Sequence, residues 1–292
     1  MMICFSLISR TLLFGAVHGI ISGTKMNDPK IIELKKIYDF YNFLSNNTIS
    51  KTLDEFKHKL HFENRFFNDN HSIFSCIKKS FGDHTIQLTK GELLYRARKI
   101  ENEDGCKFCK DGYFEEGFYA YNKRDSYVPP LKIIKANRAN TEGIPCLYAA
   151  KEEKTAIAEV RPFLGNEISV AGIQIKRDLT IFDLYLDLNI KDIEIIKLSS
   201  PDIWLGIAFA FSIPYENTSK NEYLLTQCVS EYVQLSGFDG IRYSSSLDEN
   251  GKNIVLFNCK HIDDGGNYDI FEPISSHICI VNNIKHLYGF IN

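Results

Sequence analysis

No excess of positive charge marks this chain: 34 Lys and Arg stand against 37 Asp and Glu, a formal net charge of −3. A protein built to grip nucleic acid carries a basic excess or a dense basic patch. The pairs Lys35-Lys36 and Lys78-Lys79 fit solvated helix faces, so no direct nucleic-acid partner is expected. The Gly-x-Gly-x-x-Gly turn of a Rossmann site is missing, and so is the Gly-x-x-x-x-Gly-Lys-Ser/Thr phosphate loop. No apolar run reaches the ~20 residues that cross a bilayer, so no membrane partner is expected. Internal repeats and low-complexity tracts are also lacking, which excludes solenoids and linker-like arrays. Eight cysteines in 292 residues are too sparse for a disulfide-built fold. Several, such as Cys146 and Cys279, sit in apolar runs, and free thiols in a reducing cytosol are expected.

What is present supports a sizeable core, with 44% apolar residues including 21 Phe and 15 Tyr. Residues 11–22 form a short apolar stretch after Arg10. The reading favoured is a simple leader, or translation starting at Met26, with a cytoplasmic protein; the alternative is secretion through a signal peptide in residues 1–25. Asn27 or Asp28 can cap a helix, Pro29 suits its first turn, and apolar residues then recur at helical spacing to Leu44. Helical patterns follow over Thr52–Phe67 and Ser72–Phe81, so residues 1–90 read as a leader plus a helical module; His58, His61 and His71 read as surface residues.

From Leu93 the texture changes, and residues 91–292 read as one domain. Strand-like runs cover Leu93–Arg98, Cys146–Ala149, Ile168–Ile175, Leu179–Leu184 and Ile254–Asn258, with one or two more expected between Tyr268 and Asn292. Helical stretches at Lys154–Val160, Pro201–Phe211 and Tyr223–Ser236 lie among them. This irregular order predicts an α+β fold rather than an alternating βαβ sheet.

Candidate chemistry is scattered. Cys106-Lys-Phe-Cys109 has the spacing of a zinc half-site, but no second pair follows, and a loop with two free thiols is the plainer reading. Arg96 lies in a half-buried strand pattern, Arg138 and Asn140 in a loop pattern, and Tyr148 in the next strand. Glu159 ends a short apolar helix pattern, where a carboxylate needs a reason to be. Ser244, Ser245 and Ser246 follow a Gly-Phe-Asp-Gly turn. Taken singly, these are a salt-bridge arginine, a solvated glutamate and a serine-rich turn.

Taken together they are specific. Leu94-Tyr-Arg-Ala97, Arg138-x-Asn-x-x-Gly-x-Pro-x-Leu-Tyr148, Thr155-Ala-Ile-Ala-Glu159, Gly237-x-Asp-Gly-Ile-x-Tyr-x-Ser245 and Asn253-Ile-Val-Leu-Phe257 resemble the RES domain family in order and spacing. The Arg, Glu and Ser of its name correspond to Arg96, Glu159 and Ser245, and the segment concerned is 94–258. The resemblance implies a mixed sheet like that of ADP-ribosyltransferases, NAD+ as a substrate with no resident cofactor or metal, and cleavage of the nicotinamide–ribose bond by hydrolysis or phosphorolysis. It implies a growth-arresting toxin, often held by an Xre-type antitoxin, and leaves homo-oligomerisation open. On this reading Glu159 faces the ribose, Arg96 grips the pyrophosphate with help from Arg138, Asn140 also contacts NAD+, and Tyr148 stacks on or orients the nicotinamide end. Ser245 contacts ribose or phosphate, or holds Glu159. The competing readings are a mono-ADP-ribosyltransferase acting on a macromolecule and an inactive NAD-binding or partner-binding module.

Overall fold

A computed structural model describes residues 49–66, 71–100, 109–110, 113–114, 120–186, 201–212, 223–248 and 250–283. The apolar stretch 11–22, the helix expected from Asp28 to Leu44 and Cys106 lie outside the described residues. Two helices come first, α1 (Ile49–Phe62) and α2 (Ser72–Ser80). Strands β1 (Thr85–Leu88) and β2 (Leu93–Lys99) follow. A two-stranded ribbon, β3 (Cys109–Lys110) with β4 (Tyr113–Phe114), stands apart from the main sheet. Next come β5 (Leu147–Ala150), α3 (Glu153–Glu159), β6 (Glu167–Ile175) and β7 (Leu179–Leu184). Helices α4 (Pro201–Ser212) and α5 (Leu224–Leu235) precede β8 (Gly240–Ser244), β9 (Lys252–Leu256) and β10 (Phe271–Ile280).

The fold is α+β, with an eight-stranded mixed sheet in the order β1-β7-β8-β9-β5-β2-β6-β10. Every neighbouring pair is antiparallel except β7 and β8, whose parallel pairing requires a long crossover that carries α4 and α5. These two helices pack on β7 and β8 through residues such as Leu205, Phe211, Val229 and Val233, all buried. Each such side chain removed from water contributes about 1.5–3 kcal/mol before entropy is counted. Gly240 is required where β8 approaches β9: a Cβ there would stand 2.2 Å from the Val255 carbonyl oxygen.

The compact unit that holds the sheet runs from Leu53 to Ile284, so the boundary expected at residue 90 falls inside it. The reason is packing. β1 pairs with β7 along its whole length. Phe74 of α2 lies 4.5 Å from the Tyr232 ring of α5, and Phe81 lies 5.3 Å from Phe182 and 4.7 Å from Phe238. These aromatics bind the third segment of the expected helical module to the sheet domain, and Phe56 of the second lies 5.4 Å from Phe74. His71 is the N-cap of α2, its Nδ1 accepting from the Ile73 amide at 3.3 Å, and its ring lies 4.6 Å from Phe56.

One feature of the sheet positions the site. β2 pairs with β6 over seven consecutive residues but with β5 at a single register pair, Tyr95 with Ala150. The sheet therefore opens between β2 and β5, and α3 packs against β2, β5, β6 and β9 around that opening.

Candidate active site

A cavity of about 600 Å³ is lined by residues from both sides of the opening, including Arg96 and Tyr148, and by Arg138, Asn140 and Glu159. Five of the six residues expected at the site thus share one hollow. The sixth, Ser245, is not in its lining; it stands behind Glu159.

Glu159 is the last residue of α3, half-buried. Its Oε1 accepts two hydrogen bonds, from Ser245 Oγ at 2.7 Å and from Asn253 Nδ2 at 2.6 Å. No hydrogen bond among the described residues uses Oε2. One oxygen is fixed and the other is available to a ligand. Ser245 is itself held, since Oγ accepts from the amides of Leu247 (3.1 Å) and Asp248 (3.2 Å). The turn beyond it closes on Gly251, where a Cβ would meet Thr155 Cγ2 at 2.8 Å and the Asp248 carbonyl at 2.9 Å. Of the three serines, Ser244 is occupied elsewhere: its Oγ accepts from the Leu186 amide at 2.9 Å. The choice among the three is therefore made by geometry, and only Ser245 reaches the carboxylate.

Arg96 lies in the wedge between the strands. Its Nη1 donates to the Tyr148 carbonyl at 3.1 Å, and its Nε is buried with no partner. Burial and the neighbouring Arg98 pull its pKa down to about 10. No carboxylate pairs with it among the described residues. A buried cation without a counter-ion is costly, and an entering anion would relieve that cost. Arg138 is buried and lies 5.6 Å from the centre of the Tyr243 ring. Burial works against its charge, but Tyr243, Glu159 and Tyr223 outweigh it and raise its pKa. Burial likewise pushes the Tyr243 hydroxyl up to about 12.

Tyr148 and Asn140 sit differently. The Tyr148 hydroxyl donates to Asn140 Oδ1 at 2.7 Å and accepts from the Ala139 amide at 2.9 Å. Asn140 Nδ2 donates to the carbonyls of Thr141 (2.9 Å) and Lys135 (3.1 Å). Gln227 of α5 clamps the same loop, donating to the carbonyls of Asn137 (2.9 Å) and Asn140 (3.0 Å). Both polar ends are hydrogen-bonded within the protein. They hold the loop that carries Arg138, and the Tyr148 ring forms cavity wall.

Sequence reasoning gave no role to Asn253, Tyr243 or Arg161. Asn253 and Tyr243 are register partners across β8 and β9, so they share a face of the sheet, and both line the cavity. Each lay inside a quoted motif, and its position opposite the other was the missing signal. Arg161 is exposed, lines the cavity and adopts φ 46°. A left-handed backbone at a non-glycine residue costs roughly 1–2 kcal/mol; here it turns the chain sharply after α3 and leaves a cation at the cavity wall.

The chain belongs to the RES domain family, whose model matches residues 120–271. That span contains Arg138, Asn140, Tyr148, Glu159 and Ser245, while Arg96 precedes it. No curated protein matches the chain. The solved structure of the M. tuberculosis MbcT–MbcA toxin–antitoxin complex is similar at 13% identity and a TM-score of 0.37, over 72% of this chain and 93% of that one. No described helix is long and apolar enough to cross a membrane.

Proposed function

We propose that this protein cleaves the nicotinamide–ribose bond of NAD+, with water or phosphate as acceptor, and that it acts in the cytoplasm as a growth-arresting toxin restrained by an Xre-type antitoxin. Membership of the RES family supports the class of reaction. The observation that carries it is Glu159, a carboxylate fixed through one oxygen, with the other left to a cavity that also holds the unpaired charge of Arg96.

The chemistry suits that arrangement. Loss of nicotinamide leaves positive charge on the ribose, as in glycoside cleavage. Nicotinamide departs as a neutral ring, so no general acid is required. A carboxylate about 4 Å from the developing charge contributes about 4 kcal/mol at an effective dielectric near 20. If that attraction is made only in the transition state, it accelerates cleavage roughly a thousandfold. Ser245 and Asn253 keep the carboxylate from rotating, so the stabilisation needs no rearrangement at the moment of reaction. Arg96 and Arg161 supply charge for the pyrophosphate, and the guanidinium of Arg96 retains donors for a two-pronged contact.

The test is incubation of purified protein with NAD+, with and without inorganic phosphate, followed by chromatographic separation of products. The expected result is free nicotinamide with ADP-ribose, or with its 1-phosphate when phosphate is the acceptor. Release of nicotinamide with label transferred to a macromolecule would favour ADP-ribosyl transfer instead. No NAD+ loss from a folded protein would remove the reading.

A further inference from the structure

The other end of α3 carries a second constellation, remote in the helix from Glu159. Glu153 is the first residue of α3; His277 and Cys279 lie two apart on β10, so their side chains leave the same face of that strand. β10 is an edge of the sheet, paired on one side with β6. His277 Nε2 lies 2.8 Å from Glu153 Oε1, and Cys279 Sγ lies 3.5 Å from the same oxygen. The imidazole nitrogen, the thiol sulfur and the carboxylate oxygen all fall within 4.8 Å of one another, the one such group of His, Cys and acidic side chains among the described residues.

We infer that Glu153, His277 and Cys279 form a site for a zinc-like divalent cation. The donor set is imidazole, thiolate and carboxylate, each a common zinc ligand. The sulfur selects against magnesium and calcium, which take all-oxygen shells. Bond lengths of about 2.0–2.3 Å place tetrahedral donor atoms roughly 3.3–3.8 Å apart, so the observed spacing needs only small side-chain rotations. Three protein ligands leave a fourth position for water. Glu153 and His277 have side chains 37% and 50% exposed, so an ion can reach the group. Binding replaces the thiol proton of Cys279 with the metal and releases it to solvent; no redox change is involved. The ion would tie the first turn of α3 to the sheet edge, and α3 is seven residues long with Glu159 as its last.

The test uses the full chain with Cys106 and Cys109 replaced by serine, so that the Cys-x-x-Cys pair contributes nothing. Titration with Co2+ alone should give one equivalent bound, with a thiolate-to-cobalt charge-transfer band that Zn2+ displaces. Cys279→Ser should abolish the sulfur band, and His277→Ala should weaken binding at least about tenfold, equivalent to roughly 1.4 kcal/mol. Both variants should keep the parent's circular dichroism spectrum, since both side chains are partly exposed at a sheet edge. Absence of saturable binding would overturn the site, and so would a band and an affinity that persist unchanged in both variants. NAD+ cleavage is not part of the readout, so the outcome is independent of the proposed activity.

Discussion

Two sets of residues around the cavity differ in how they use their polar groups. In one set, Tyr148 and Asn140 of the lining and Gln227 behind them satisfy one another and the loop backbone, with every side-chain donor named above paired. In the other, Glu159 keeps one carboxylate oxygen unengaged and Arg96 keeps a buried Nε without a partner. Buried polar groups are nearly always paired. The first set therefore reads as scaffold, and the second is the one the proposed activity assigns to a ligand. The polar side chains of the motifs fall into these two sets only when hydrogen bonds are counted.

The division is broken most directly at Glu159. Glu159→Gln keeps the shape and the amide oxygen for Ser245 but removes the charge, and kcat for NAD+ loss should fall about a thousandfold. Thermal unfolding should move little, because Oε2 has no partner to lose. Retained turnover would strip Glu159 of its role. Ser245→Ala comes next. Its hydroxyl touches the carboxylate, not the cavity, so it should lower kcat roughly 10–100-fold, as the loss of a charged hydrogen bond of about 1.5–3 kcal/mol predicts. KM should stay near its original value. A change in KM with kcat preserved would place Ser245 on the substrate instead.

Arg96→Lys tests the same set from the anion side. A point charge cannot reproduce a planar fork, so calorimetry on the Glu159→Gln background should show NAD+ bound about tenfold more weakly. The stability change should be small, because the lost interaction is one hydrogen bond to the Tyr148 carbonyl and the buried charge it replaces had no counter-ion. A large fall in melting temperature with unchanged affinity would move Arg96 to the scaffold.

Much of this fold was legible in local patterns. β6, β7, α4 and α5 follow apolar patterning closely, because each buries most of its apolar residues; β2 and α3, with few buried residues, were legible from shorter apolar runs. β1 and β8 were not legible. β1 has four residues with only Leu88 buried, and β8 opens at Gly240, which sequence rules read as a turn. The site was partly legible: its residues stood in motifs, but the opening between β2 and β5 that makes a cavity of them is a property of strand pairing. The bond from Asn253 to Glu159 spans 94 residues and has no local signature. The dual use of the Tyr148 hydroxyl is equally invisible before the loop is placed.

Tyr148→Phe gives the smallest catalytic effect and sharpens the comparison most finely. The variant keeps the ring as cavity wall and removes only the hydroxyl. If the ring alone serves the ligand, NAD+ turnover per folded molecule should stay within about threefold. The loss should appear in stability, because the Ala139 amide and Asn140 Oδ1 each lose a partner in a buried loop. A buried group left unsatisfied costs about 1–3 kcal/mol, and for a domain of this size each kcal/mol lowers the melting temperature by about 2–4 °C. Asn140→Ala should cost a similar amount. The double variant should then show a coupling of at least about 0.5 kcal/mol, because both residues belong to one network. Additive costs would mean that the two side chains act apart, and a fall in kcat with stability unchanged would transfer the Tyr148 hydroxyl from the scaffold set to the chemical one.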